Sequence, residues 1–134
     1  MRIVFDSNAL ISAFITTEGI ASRVLLRSLE GHEVLLSGYI LREFKEKLIR
    51  KLKYPDPLVE TFVRFLELRA KILTDEAAPA RGAGFSDPKD IPILHFLEAT
   101  GAHYFVTGDK KLLELKRYKN TLILSLRESL ELLP

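Results

Sequence analysis

Short apolar segments alternate with amphipathic segments along the chain, and this alternation constrains the fold more than any other feature. The first apolar segment, Ile3–Phe5, has no polar face, which is typical of a strand covered on both sides. Further strands are predicted at Glu33–Leu36, Lys71–Leu73, His103–Val106 and Thr121–Leu124. The pattern predicts an α/β fold: a three-layer α/β/α sandwich around a central parallel sheet of about five strands.

Helical periodicity occupies most of the intervals between these strands. The predicted helices are Asn8–Phe14, Ile20–Leu29, Tyr39–Lys53, Pro57–Ala70, Asp90–Thr100, Lys110–Leu115 and a last helix that opens with the capping box Ser125–Glu128. The segment Thr74–Ser86 contains one proline and two glycines and is predicted to be a loop. In a parallel sheet of this kind, the helices that follow the strands all begin at one edge.

The length and composition indicate a single domain over residues 1–134. A chain of this length buries roughly 68% of the surface that its unfolded form exposes, and 47% of its residues are hydrophobic. It has no cysteine, which excludes disulfides, thiolate nucleophiles and Cys-based zinc sites. No apolar run approaches the ~18 residues of a membrane span, and no signal-peptide layout is present. We therefore expect a cytoplasmic protein with no membrane association.

Four acids fall at related points of this predicted topology. Asp6 directly follows the first strand, and Glu43 lies about one turn into the helix after the second strand. Asp90 opens the helix that leads into the fourth strand, and Asp109 directly follows that strand. We expect all four side chains to project from the carboxyl edge of the sheet.

Carboxylates that lie close together raise one another's pKa unless cations neutralise them. Oxygen ligands of this kind suit Mg²⁺ or Mn²⁺ better than zinc. Such an ion polarises a phosphoryl oxygen and generates hydroxide from bound water. Basic residues near two of the acids are candidate contacts for RNA phosphates: Arg42, Lys45, Lys110 and Lys111. The sequence thus predicts metal-dependent phosphodiester hydrolysis.

Each acid also has a purely structural interpretation, which stays open at this stage. Asp6 is placed to cap the first helix, and Glu43 is spaced i,i+4 from Lys47 on a charged helix. Asp90 and Asp109 both lie in stretches rich in cap and turn formers. Asp87 is a substitute for Asp90 as an acid of the site, or else a cap at the helix entry.

Four segments of the chain resemble the motif set of PIN-domain nucleases. They are IVFDSNALISAF, LREF around Glu43, SDPKDIPIL and YFVTGDKKLL, and they occur in the family's order over nearly the whole chain. The branch that they resemble is the small stand-alone prokaryotic proteins related to VapC toxins. The resemblance implies a PIN-like sandwich, Mg²⁺- or Mn²⁺-dependent endoribonuclease activity, pairing with an antitoxin and formation of a homodimer.

The resemblance assigns the acids of the family's site, in order, to Asp6, Glu43, Asp90 and Asp109. It also matches Asn8, two places after the first acid, and Thr107, the hydroxyl residue before the fourth acid; both would orient neighbouring acids. Pro92 departs from the usual pattern, because it lies just inside the helix that Asp90 begins. The first turn of a helix tolerates proline, although the orientation of Asp90 depends on it.

Three other functions compete with the nuclease. A phosphatase of the haloacid-dehalogenase type also begins with an apolar strand that ends in Asp, but it needs a second acid where this chain has Asn8. A receiver-like signalling domain needs an acid pair after the first strand, which this chain lacks. The last alternative is a PIN-like module that binds RNA or a protein without cutting.

Overall fold

The structure is a computed structural model that describes residues 1–74 and 88–133. The strands are β1 (Arg2–Phe5), β2 (Glu33–Ser37), β3 (Lys71–Leu73), β4 (Tyr104–Val106), β5 (Arg117–Tyr118) and β6 (Thr121–Leu124). The α-helices are α1 (Ser7–Ile15), α2 (Ile20–Gly31), α3 (Gly38–Glu46), α4 (Asp56–Arg69), α5 (Ile91–Thr100), α6 (Lys110–Leu115) and α7 (Leu126–Leu132). A π-helical turn, Lys47–Lys51, continues α3.

The described strands form one sheet in the order β3-β2-β1-β4-β6-β5. Val4 of β1 is paired with Leu35 of β2 on one side and with Phe105 of β4 on the other, both in parallel. The side chains of Ile3, Val4 and Phe5 are almost fully buried, as expected for a strand that has neighbours on both sides and helices on both faces. The predicted α/β fold with a central, mostly parallel sheet is therefore confirmed.

The sheet differs from the prediction by one additional strand. Strand β5 has two residues and pairs with β6 in antiparallel orientation, as a hairpin at the edge of the sheet. Its flanking residues Lys116 and Lys119 have φ values of 61° and 51°, a left-handed conformation that lysine adopts rarely. The strand is too short for an alternating pattern, and no glycine or proline marks its turns, so no local signal predicts it.

The predicted helix Tyr39–Lys53 contains a change of helix type. Its first part is α-helical from Gly38 to Glu46, and a π-helical turn follows, in which the Leu52 amide donates to the Lys47 carbonyl at 3.0 Å. The turn therefore closes over five residues instead of four. The predicted loop Thr74–Ser86 lies, apart from Thr74, outside the described residues.

No single helix in the described ranges is both long and apolar enough to cross a membrane. Helices α1 and α2 reach that length and composition only when taken together across a bend of 111°.

Aromatic side chains join three helices on the face of the sheet that carries α3. Phe14 of α1 makes edge-to-face contacts with three rings: Phe44 of α3, Phe62 of α4, and Tyr54, which precedes α4. The ring centroids are 6.1, 5.4 and 5.2 Å from that of Phe14, respectively. Phe44 also stacks on Phe62 at 5.5 Å. Such pairs add to the free energy gained by burial. The cluster fixes α3, and with it Glu43, against α1.

We expect Phe44→Ala to lower the free energy of unfolding by about 3–5 kcal/mol, because it removes a fully buried ring and leaves a cavity. The matched control is Leu68→Ala on α4, whose side chain is 84% exposed and which should change stability by no more than about 0.5 kcal/mol. Urea denaturation of both variants measures the difference. A loss of similar size in both variants would contradict the assignment of the cluster as core.

Candidate active site

Asp6 lies where the carboxyl ends of β1 and β4 meet. Its amide donates to the Val106 carbonyl at 2.9 Å, which keeps the two strands together up to this point. The carboxylate is 5% exposed; Oδ1 accepts a hydrogen bond from the Ser7 amide at 2.8 Å and Oδ2 accepts one from the Thr107 hydroxyl at 2.7 Å. Asp6 therefore caps α1, as the structural interpretation expected, but Thr107 holds its second oxygen from another segment.

Burial raises the pKa of Asp6 above its usual value, because a charged carboxylate loses solvation there. The hydrogen bonds from Thr107 and Ser7 act in the opposite direction. The negative charge of Glu43 raises this pKa further, and the positive charge of Lys47 lowers it. The net shift is upward, so a cation that approached Asp6 would relieve an unfavourable charge.

Ser7 connects the first acid to the second. Its hydroxyl donates to Oε1 of Glu43 at 3.1 Å, and its side chain is 1% exposed. Glu43 is half-buried on α3, and its negative charge is close enough to raise the pKa of Asp6. Ser7 is not among the site residues predicted from the sequence. The sequence feature that could have identified Ser7 is its hydroxyl, directly after the first acid and on the first turn of the helix that packs against α3.

Hydrogen bonds to several elements hold the segment after β4 in place. The Thr107 hydroxyl that donates to Asp6 also accepts from the Asp109 amide at 3.0 Å. Asn8 contacts the same segment, since its Oδ1 accepts from the Gly108 amide at 3.3 Å. Oδ1 of Asp109 caps α6 by accepting from the Lys111 amide at 2.8 Å. Thr107 thus binds Asp6 directly, whereas Asn8 positions the backbone between Thr107 and Asp109.

Asp90 is 5% exposed and immediately precedes α5. Pro92 lies in the first turn of this helix, where proline is tolerated. The preceding residue, Lys89, accepts a hydrogen bond at its carbonyl from the Tyr39 hydroxyl at 3.2 Å, so the start of α5 is tied to α3. Asp87, the substitute acid, lies outside the described residues.

The described residues contain no group of three or more His, Asp or Glu side chains placed to hold a metal ion. What the structure brings together is the pair Asp6 and Glu43, joined through Ser7. The donor set of this pair fits magnesium, which commonly uses one or two carboxylates and completes its shell with water and substrate phosphates. Metal ligation by Asp6, Glu43, Asp90 and Asp109 stays a prediction.

The four basic residues predicted to contact RNA lie on two elements. Arg42 and Lys45 are on α3, and Lys45 forms an ion pair with Glu60 of α4 at 3.5 Å. Lys110 and Lys111 are exposed on the first turn of α6, directly after Asp109. Their contact with RNA stays a prediction.

A sheet of this order with acids along its carboxyl edge defines the class of PIN-like α/β domains, and solved structures share the fold. The VapBC2 structure from Rickettsia felis, bound to a promoter DNA fragment, matches with a TM-score of 0.70 and 19% identity, over 93% of this chain and 98% of that chain. VapBC-1 from nontypeable Haemophilus influenzae matches with a TM-score of 0.67 and 14% identity, over 95% and 99%. VapC20 from Mycobacterium tuberculosis is described as a toxin that cleaves the Sarcin-Ricin loop. It matches with a TM-score of 0.62 and 11% identity, over 87% of this chain and 97% of that chain.

The family model of the PIN domain matches residues 2–111. The chain therefore belongs to the PIN-domain family, which confirms the resemblance inferred from its motifs, and it shares its fold with the solved VapBC structures. None of the curated proteins compared with the chain matches it significantly.

The raised pKa of Asp6 predicts how the stability of the protein depends on pH. Above the folded-state pKa the ionised carboxylate lowers stability, and this cost disappears as the pH falls from the folded-state pKa towards the unfolded-state value. Asp6→Asn lacks this titration. We therefore expect the stability of Asp6→Asn relative to wild type to be highest at neutral pH and to decrease as the pH is lowered.

Urea denaturation in EDTA over a pH series measures this relative stability. The exposed residue Glu18, in the turn between α1 and α2, provides a control, Glu18→Gln, for the general effect of removing one negative charge. Hydrogen bonds that the asparagine fails to make add an offset that does not depend on pH. A relative stability that rises as the pH is lowered would mean that favourable contacts, and not burial, dominate the ionisation of Asp6.

Proposed function

We propose that this PIN-domain protein is a metal-dependent endoribonuclease that hydrolyses RNA phosphodiester bonds. The observation that carries the proposal is the buried carboxylate of Asp6, which Thr107 holds beside Glu43 at the carboxyl edge of the sheet. A buried acid whose pKa is raised by burial and by the charge of a second acid is a costly arrangement that a divalent cation would stabilise. Family membership supports the nuclease over the phosphatase and the signalling domain.

Asp6 and Glu43 would hold Mg²⁺ or Mn²⁺, with Asp90 and Asp109 as the further acids of the site. The chemistry supplied by such an ion is polarisation of a phosphoryl oxygen and a lower pKa of bound water. Thr107 fixes the rotamer of Asp6 through Oδ2, and Ser7 fixes Glu43 through Oε1. These contacts leave the remaining lone pairs of both carboxylates in defined directions before any ligand binds, which is the geometric requirement for positioning a reacting phosphate.

The test is cleavage of end-labelled RNA with Mg²⁺, Mn²⁺ or excess EDTA. We expect wild type to cut in Mg²⁺ or Mn²⁺ and not in EDTA. Asp6→Asn, Glu43→Gln and Asp90→Asn should each lower the rate at least about 100-fold, the order of loss seen when one stabilising group is removed from a reacting centre. Thr107→Val should lower the cleavage rate about 10–100-fold, as for residues that orient ligating groups. Thr107→Ser keeps the hydroxyl and should therefore retain most of the wild-type rate.

A second readout does not depend on activity. Mg²⁺ or Mn²⁺ should raise the melting temperature of wild type, because a ligand that binds only the folded state stabilises it, and this increase should be lost in Asp6→Asn. Hydrolysis of p-nitrophenyl phosphate without RNA cleavage would favour the phosphatase. RNA binding without cleavage, in the presence of either metal, would favour the non-catalytic module.

We also propose that the chain pairs with an antitoxin protein, because two of the similar structures are VapBC complexes from R. felis and H. influenzae. An apolar groove of about 200 Å³ between α2 and α4 offers a surface for such a partner, with Leu26 and Phe65 on its walls. Leu26 is 43% exposed at this groove, so its side chain is accessible to a partner. Homodimer formation stays a prediction, which the mass of the purified chain in solution tests.

Co-expression with the product of the adjacent reading frame tests the pairing. We expect that product to copurify with wild type and with the control Leu132→Asp, whose side chain is 55% exposed on α7. Leu26→Asp should lose it, because a buried charge in an apolar interface is costly. Equal recovery with both variants would exclude this groove as the contact surface.

A further inference from the structure

We propose that a basic groove along α3 and the π-helical turn binds the sugar–phosphate backbone of the RNA strand next to the cleaved bond. The groove has a volume of about 430 Å³, and its walls include Tyr39, Glu43, Lys47, Arg50, Lys51 and Lys89. Because Glu43 belongs both to this groove and to the candidate active site, the two are continuous. The inference rests on the proposed nuclease function for its substrate, but its test does not require cleavage.

The helix fixes which side chains face the groove. Glu43 and Lys47 are one α-helical turn apart, and Lys47, Arg50 and Lys51 belong to the π-helical turn that follows; all four line the groove. The opposite side is anchored, since Phe44 and Leu48 are fully buried. The π-helical turn lies within this basic stretch, and such turns are frequently found at functional sites. The basic side therefore cannot rotate away from the groove without exposing core residues.

The charges in the groove favour an anionic strand. Four basic residues face two acids, Glu43 and Glu46, and Arg50 forms an ion pair with Glu46 at 3.8 Å. Both of these side chains are largely exposed, so their pairing is weak and would yield to a phosphate. An excess of positive charge that leads to a pair of carboxylates suits a substrate whose phosphates continue beyond the reacting one.

Lys47 and Tyr39 show how the wall of the groove is connected to its surroundings. Lys47 is half-buried and close enough to Asp6 for its positive charge to lower the pKa of that acid, so it marks the end at the active site. Tyr39 is half-buried in the wall, and its hydroxyl bonds to the Lys89 carbonyl. Cationic side chains together with an aromatic ring are the usual combination in grooves that bind single-stranded nucleic acid.

The basic residues that line the groove differ from the two on α3 that the sequence predicted to contact RNA. Neither Arg42 nor Lys45 is among its wall residues, and Lys45 is paired with Glu60 at 3.5 Å. Position on the helix, and not the density of basic residues along the chain, decides which cations can reach a strand bound at the active site.

The test compares Arg50→Gln/Lys51→Gln with a control of equal charge loss, Arg27→Gln/Arg64→Gln, whose residues are exposed on α2 and α4. Fluorescence anisotropy in excess EDTA follows binding of a labelled single-stranded RNA of mixed sequence, about 20 nucleotides long, which exceeds usual single-strand site sizes. We expect the groove variant to raise Kd about tenfold at about 100 mM salt, and by a larger factor at lower salt. The slope of log K against log salt should become shallower by about 1.4, since each contact to a single strand contributes about 0.7.

The control should keep the wild-type Kd and slope. Equal loss in both double variants, or an unchanged slope in the groove variant, overturns the proposal. The proposal is also overturned if RNA binding is unchanged while the groove variant alone loses a copurifying protein, because the groove would then be a protein-binding surface. If no metal supports RNA cleavage by wild type, the nuclease proposal fails, and the binding measurements still decide the role of the groove.

Discussion

The candidate site depends on the burial of one carboxylate. Asp6 lies at the end of the central strand, and each of its oxygens receives a hydrogen bond, one from α1 and one from the segment after β4. A buried carboxylate is stable only when such partners are present. The order of the sheet provides them, because β4 lies directly beside β1 although about a hundred residues separate Asp6 from Thr107 along the chain. The strand order that defines the fold therefore also provides the hydrogen bonds that keep Asp6 buried.

Most of the fold could be predicted from the sequence because buried parallel strands leave a strong local pattern. Segments such as Ile3–Phe5 have no polar face, and the helices between them have clear periodicity. What could not be predicted depends on contacts that the pattern does not contain. Strand β5 requires left-handed backbone at Lys116 and Lys119, and the π-helical turn requires a hydrogen bond from Leu52 to Lys47. Lysine and leucine at these positions do not indicate either conformation.

The site was predictable at the level of topology and not at the level of contacts. Topology places acids after strands at one edge of the sheet, but it does not say which side chains meet there. Ser7, which bonds Asp6, also bonds Glu43 across 36 positions of sequence, a contact that only the packing of α1 on α3 creates. Conversely, one oxygen of Asp109 is engaged in capping α6. The same residue type therefore serves as a helix cap and as a candidate ligand, and sequence alone does not separate the two roles.

Helix α3 links these observations. It carries Glu43, which raises the pKa of Asp6, and one turn later Lys47, which lowers it. The aromatic contacts of Phe44 with Phe14 and Phe62 fix α3 against α1 and α4, and with it the positions of both charged residues. A single rigid helix therefore sets the balance of charge around the buried acid and the direction of the basic groove that leads from it. A change that tilts α3, even one far from Asp6, would alter both the electrostatics of the site and the path offered to a bound strand.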